Sequence, residues 1–206
     1  MNVLGIDTSI TCTGLASVDL VDKGWSAIVS IRSKAPATPK KPRGKGNLPP
    51  TLDQRHERLA KLANDIVSWP EVRPTLAVIE GPAYSSGVGS MHDRSGLWWM
   101  VVQRLLFMEI PVVEVTPAKR AKYATGKGTV DKDVVMAAVV RRYLDYEVTN
   151  NNEADALILA MMGARLLGCP LDDPPQKNLE AMAGIELPPS LEKLSREFAA
   201  ADPAPF

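Results

Sequence analysis

The chain has 206 residues with 24 basic and 24 acidic side chains, so its formal net charge is zero and its size suits one domain with a real core. Arg165 interrupts the longest apolar run, and no charged leader with an apolar core opens the chain, so neither a membrane span nor a secretory signal is expected. Two cysteines, Cys12 and Cys169, exclude a disulfide framework or a cysteine metal cluster and point to a reducing, cytoplasmic setting.

Residues 1–14, MNVLGIDTSITCTG, open on a short apolar run of Val3, Leu4 and Ile6 that stops at Asp7. Such a run reads as a strand buried on both faces. A carboxylate there is costly to bury unless a cation or donors meet it, though Asp7 equally suits a turn that bonds its own backbone. Residues 15–20 and 25–31 have strand composition around Asp22, Lys23 and Gly24, which predicts an antiparallel hairpin. Residues 33–50 are rich in Pro, Lys and Gly and cannot build a core. They form a flexible basic loop in which Lys34, Lys40, Lys41, Arg43 and Lys45 are either solvated or set for phosphate contacts.

Residues 51–69 carry Leu52, Leu59, Leu62, Ala63 and Ile66 at helical spacing and stop at Pro70. The next strand, TLAVIE at 75–80, also ends in a carboxylate, Glu80. Two buried strands that each deliver an acid argue for a crevice at the strand ends of an open α/β sheet. Residues 84–90, YSSGVGS, read as mobile. The helix expected at 93–109 is apolar most of the way round, and Trp98 and Trp99 cannot share one face. Core packing accounts for such a helix, and a dimer contact through the tryptophans is plausible on the same pattern.

A third strand follows at 111–115. Then come TPAK and TGKGTVDK, where Gly126 and Gly128 flank Lys127 and let the backbone approach a phosphate, without P-loop spacing. A helix is expected over 131–145. Asn150, Asn151 and Asn152 cap the last main helix, with Asp155 in its first turn one helical step from Asn152. An acid in that place also suits the helix dipole alone. Residues 166–206 hold seven acids against three bases. The Pro-rich stretch at 169–206, with one weak helix at 190–200, reads as a partly disordered extension of a domain spanning 1–168.

Taken in order, GIDTSITCTG, AVIEGPAYS, TP followed by lysines and GKGTVDKDVV, and NNEADALILA resemble the RuvC-type Holliday-junction resolvases. These belong to the ribonuclease-H-like superfamily, and the likeness covers roughly residues 3–167. It implies an α/β fold with a mixed sheet flanked by helices. It also implies that Asp7, Glu80 and Asp155 hold two Mg²⁺ ions, replaceable by Mn²⁺, with Asp7 as the bridge. Two ions about 4 Å apart activate a water and steady the leaving oxygen of a phosphodiester hydrolysis.

The family's fourth ligand position falls on Asn152, where the family often has Asp; Glu153 follows it but should point elsewhere. Lys132 matches the lysine that assists at the scissile phosphate, and Lys122 lies within one position of another. Tyr84 is nearest to an aromatic that stacks on unpaired bases, worth about 1–3 kcal/mol per base. With Lys122, Lys127 and the loop residues Lys40, Lys41, Arg43 and Lys45 it makes up the expected DNA contacts. The family acts on four-way junctions as a homodimer, and the Trp98/Trp99 helix lies where that dimer forms. The longer basic loop and the acidic tail depart from its pattern. Actin-like and sugar-kinase ATPases share GIDTSxTxTG but need two such domains. Related tRNA-modification scaffolds lack the acids. A non-catalytic module that binds branched DNA stays open because of Asn152.

Overall fold

Alternate burial on two faces organises the sheet. The computed structural model describes residues 1–21, 26–82 and 91–201. Five strands, β1 (Asn2–Asp7), β2 (Cys12–Asp19), β3 (Ser26–Arg32), β4 (Leu76–Glu80) and β5 (Val112–Val115), lie in the order β3-β2-β1-β4-β5. β2 pairs antiparallel with β1 and β3, while β4 runs parallel to β1 and β5. The expected hairpin is present as β2 and β3, paired from Cys12↔Arg32 to Val18↔Ser26; Asp22, Lys23 and Gly24 lie outside the described residues.

Two helices, α1 (Leu52–Ser68) and α2 (Met91–Phe107), cover one face. On the other lie α3 (Pro117–Thr125), α4 (Lys132–Arg142) and α5 (Asn151–Leu166). Val3, Leu76 and Val78 pack toward α5, whereas Leu4, Ile6, Ala77 and Ile79 pack toward α1 and α2. A strand's period of two therefore turns Asp7 and Glu80 to the α5 side. Since Ile6 is paired with Ile79, the next step along both strands brings the two acids side by side.

α5 is buried from Glu153 to Gly163 and onward to Ala164, so it is the central helix of that layer. Glycines let its backbone touch the sheet. A Cβ on Gly5 would sit 2.0 Å from the Ala156 carbonyl oxygen, and one on Gly14 2.0 Å from that of Asn152. Local caps set the helix starts: Thr51 and Gln54 form a capping box on α1, and Asn150 Oδ1 accepts from the Asn152 and Glu153 amides on α5. α2 ends at Phe107, two residues before the expected 109, and α4 stops at Arg142 rather than 145.

The basic segment at 33–50 turns back on itself through a Lys40↔Asn47 bridge and a Leu48 N–H donated to the Pro39 carbonyl at 2.8 Å. Residues 169–201, read from composition as a partly disordered extension, carry α6 (Gln176–Leu179), two 3₁₀ turns (Glu180–Met182 and Pro189–Leu191) and α7 (Glu192–Ala201). Their scattered apolar residues, Ala181, Leu191, Leu194 and Phe198 among them, pack on the α5 layer. The buried Asp172 carboxylate accepts from the Tyr123 and Tyr143 hydroxyls and pairs with Arg165. Among the described residues no helix is long and apolar enough to cross a membrane.

Candidate active site

The ends of β1 and β4 and the first turn of α5 meet at one edge of the sheet. Asp7 is 9% exposed and Asp155 2% exposed. Trp98 donates its indole N–H to the Glu80 carbonyl at 2.9 Å, which pins the end of β4 to α2. Beyond Asp7, the chain folds over a Ser9–Thr13 pair, with the Ser9 amide donating to Thr13 Oγ1 and that hydroxyl donating back to the Ser9 carbonyl. Arg58 of α1 holds the same loop by donating to the Ile10 carbonyl at 2.9 Å.

A cavity of about 220 Å³ opens here, lined by Asp7, Glu80, Lys132 and Asn152, with Thr8, Ser9, Arg94 and Ser95 at its sides. Asn152 donates its Nδ2 to the Cys12 carbonyl at 2.8 Å, leaving the amide oxygen as its ligand atom. Glu153 points away, accepting from Ser30 and from the amide and hydroxyl of Thr149, so it has a structural part only.

The electrostatics are those of crowded acids. Burial pushes the Asp7 carboxyl well above the ordinary carboxylate range, and the charges of Glu80 and Asp155 push it further. Burial also raises Asp155 to about 7, against the pull of Arg120 and with the push of Glu80. Arg120, 6% exposed on α3, bridges the other two acids: its Nε donates to Glu80 and its Nη1 to Asp155. No hydrogen bond reaches the Asp7 carboxyl from the described residues.

Among the described residues no three Asp, Glu, His or Cys side chains form a ready metal cage, and Arg120 stands between two of the candidate ligands. The donor set nonetheless fits a hard divalent cation. It is all oxygen, from three carboxylates and an amide, and its negative charge is under-compensated at Asp7.

The sequence named Asp7, Glu80, Asp155, Asn152 and Lys132, and the fold gathers them at this edge. It does not gather the rest. Lys122 pairs with Glu180 at 2.7 Å. Lys127, Lys40, Lys41, Arg43 and Lys45 are exposed and line no part of the cavity. Tyr84 lies outside the described residues. Trp98, expected at a dimer contact, is buried within its own chain at 8% exposure because its indole is needed at Glu80; Trp99 is 64% exposed.

Sequence reading missed two cations. Arg120 sits in a lysine-rich stretch that reads as DNA-facing, yet Ala121 and Ala124 mark a buried stripe on α3 that includes it. Arg94 lines the cavity from α2 with its Nε buried and without a partner among the described residues; nothing in the local pattern separates it from an ordinary surface arginine.

No protein-family model matches the chain. It is 32% identical over 111 residues to the crossover junction endodeoxyribonuclease RuvC of Synechococcus sp. (strain CC9311), covering 52% of this chain and 68% of that protein. With the protein of the same name from Prochlorococcus marinus (strain MIT 9313) it shares 28% over 173 residues, covering 79% and 97%. Its fold is similar to that of T. thermophilus RuvC in complex with Holliday junction substrate, with a TM-score of 0.54 at 16% identity over 85% of this chain and 99% of that one. By sequence, the chain belongs to the RuvC family of crossover junction endodeoxyribonucleases.

Proposed function

We propose that this chain is a structure-selective DNA endonuclease that resolves four-way junctions by hydrolysing phosphodiester bonds, as a homodimer and with two Mg²⁺ ions per site. One observation carries the reading: Asp7 and Glu80, at the ends of adjacent parallel strands, share an edge cavity with Lys132 and Asn152, and Asp155 stands directly behind. Asp7, Glu80, Asp155 and the Asn152 amide oxygen would hold the ions. The chemistry these would supply is activation of a water and neutralisation of the leaving oxygen.

The chain's own side chains bind and orient the substrate strand. Lys132, exposed at the start of α4, offers its ammonium to the scissile phosphate. Arg94, at the side of the cavity, offers its guanidinium, whose planar fork suits a phosphate's spread oxygens. The exposed cations of the 33–50 segment reach flanking phosphates, and Tyr84 stacks on an unpaired base. Trp99, Leu106 and Phe107, exposed together on α2, form the apolar face that a second copy would cover.

A non-catalytic junction-binding module is the second reading. It is favoured by Asn152 at a ligand position and by Arg120 bridging two of the acids. Nicking of a labelled immobile four-way junction separates the two, with linear and Y-shaped DNA alongside, in magnesium and in EDTA. Paired symmetric nicks that need magnesium and vanish in Asp7→Asn are the expected result. Tight junction binding without nicks in magnesium or manganese would leave the binding module.

A further inference from the structure

Arg120 is a cation in a place where hydrolysis by bound metal has no evident need for one. Its guanidinium is buried and lines no part of the cavity, so it cannot meet the substrate directly. Its Nε serves Glu80 and its Nη1 serves Asp155, which leaves the remaining carboxylate oxygens for other partners.

The helix that carries it is held on both sides. At one end Thr116 caps α3 and Pro117 starts it; at the other Gly126 closes it at φ 76°. The extension braces it from outside. Lys119 donates to the Ala183 carbonyl at 2.7 Å, Lys122 pairs with Glu180, and Asn178 donates to the Tyr123 carbonyl at 2.7 Å. A buried arginine on a helix tied this way does not swing out freely.

We propose that Arg120 is a positioning residue that acts as an internal counter-ion. It assembles Glu80 and Asp155 before any metal arrives, and it weakens divalent-ion binding by the free protein. This rests on the metal-dependent reading above. Ordering a ligand from behind normally favours the metal, and removing such a partner costs about 10- to 100-fold in affinity. Here the partner is itself a cation that shares both carboxylates with a dication. At an effective dielectric constant of about 20, repulsion between such close charges exceeds that gain, so the counter-ion effect wins.

The test uses the full chain and Mn²⁺ alone. Calorimetric titration gives affinity, and thermal unfolding in EDTA and in Mn²⁺ gives the state of the empty site, for wild type, Arg120→Met, Arg120→Lys and Asp7→Asn. Arg120→Met is expected to melt about 5–10 °C lower than wild type in EDTA, because two buried carboxylates are left without their partner. It should bind Mn²⁺ at least tenfold more tightly and gain more from it in melting temperature. Arg120→Lys keeps the charge but cannot bridge both acids. It should keep the wild-type affinity within about threefold while melting lower in EDTA.

An Arg120→Met protein that binds Mn²⁺ no better than wild type overturns the counter-ion role. If that variant does not fold without metal, Arg120→Lys decides: unchanged melting in EDTA, or tenfold tighter binding, overturns the proposal. Should wild type and Asp7→Asn bind Mn²⁺ alike or not at all, the metal-dependent reading fails. The melting of the Arg120 variants in EDTA then still decides whether Arg120 assembles the acids.

Discussion

Asp7 is the acid of the site that Arg120 does not bridge. Arg120 serves its two neighbours, burial removes its water, and both neighbours repel it. Under the proposed metal-dependent reaction, a group in that position serves chemistry at the expense of stability. Asp7→Asn should therefore cut nicking by about a thousandfold or more, since several kcal/mol of transition-state stabilisation go with it. The same variant should melt about 2–4 °C higher in EDTA, which corresponds to about 1 kcal/mol for a chain of this size. Scanning calorimetry beside the nicking assay checks both; a lower melting temperature would contradict the charge-crowding account. The acid itself was legible in the sequence as a carboxylate that ends a buried strand. The absence of a donor to it among the described residues was not, because that depends on where Arg120 points.

Among the elements, α3 and the extension work as one unit. Tyr123 of α3 and Tyr143, just past α4, both donate to Asp172, at the start of the extension. Burial, and then the Asp172 charge, push the Tyr143 hydroxyl well above the ordinary tyrosine range. The folded chain thus holds that proton more tightly than the unfolded chain. Its contribution to stability is whole below a pH of about 10, the unfolded tyrosine value, and declines as the pH rises beyond it. Tyr143→Phe should accordingly flatten the alkaline limb of a plot of unfolding free energy against pH, measured by urea denaturation from about pH 8 to 11. An equally steep limb in the variant would place the decline elsewhere. Composition spoke against this packing, because prolines and acids dominate residues 169–206 when averaged. The few apolar residues that dock 169–201 are too sparse to register.

For the molecule as a unit, two surfaces carry the proposed partner contacts. Phe107 is 87% exposed and sits with Leu106 and Trp99 on α2, beside the active-site edge that Trp98 pins. Leu106→Glu with Phe107→Glu should give a monomer by sedimentation velocity that makes single nicks instead of paired ones. A variant that stays dimeric would mean the two-fold interface lies on another face. The basic segment is the second surface. Replacing Lys40, Lys41, Arg43 and Lys45 by Ala should weaken junction binding and lower the slope of log affinity against log salt by about one for every phosphate those side chains neutralise. An unchanged slope would make the segment a solvated linker.

Sequence pattern alone was enough for the strands, the main helices and the two acids that end β1 and β4, while the resemblance added Asp155, Asn152 and Lys132 as site residues. The patterns are local: an apolar run closed by an acid, and a cap before a helical period. Motif order was enough to bring the resemblance to the RuvC family into view. Which cations turn inward was set by packing in three dimensions. Arg120 and Lys122 are two residues apart in one basic stretch, yet the first is buried between two carboxylates and the second pairs with Glu180 at the surface. The difference is a rotation of about 200° around a helix axis. That rotation is set by what packs on each side, and no property of the two side chains themselves records it.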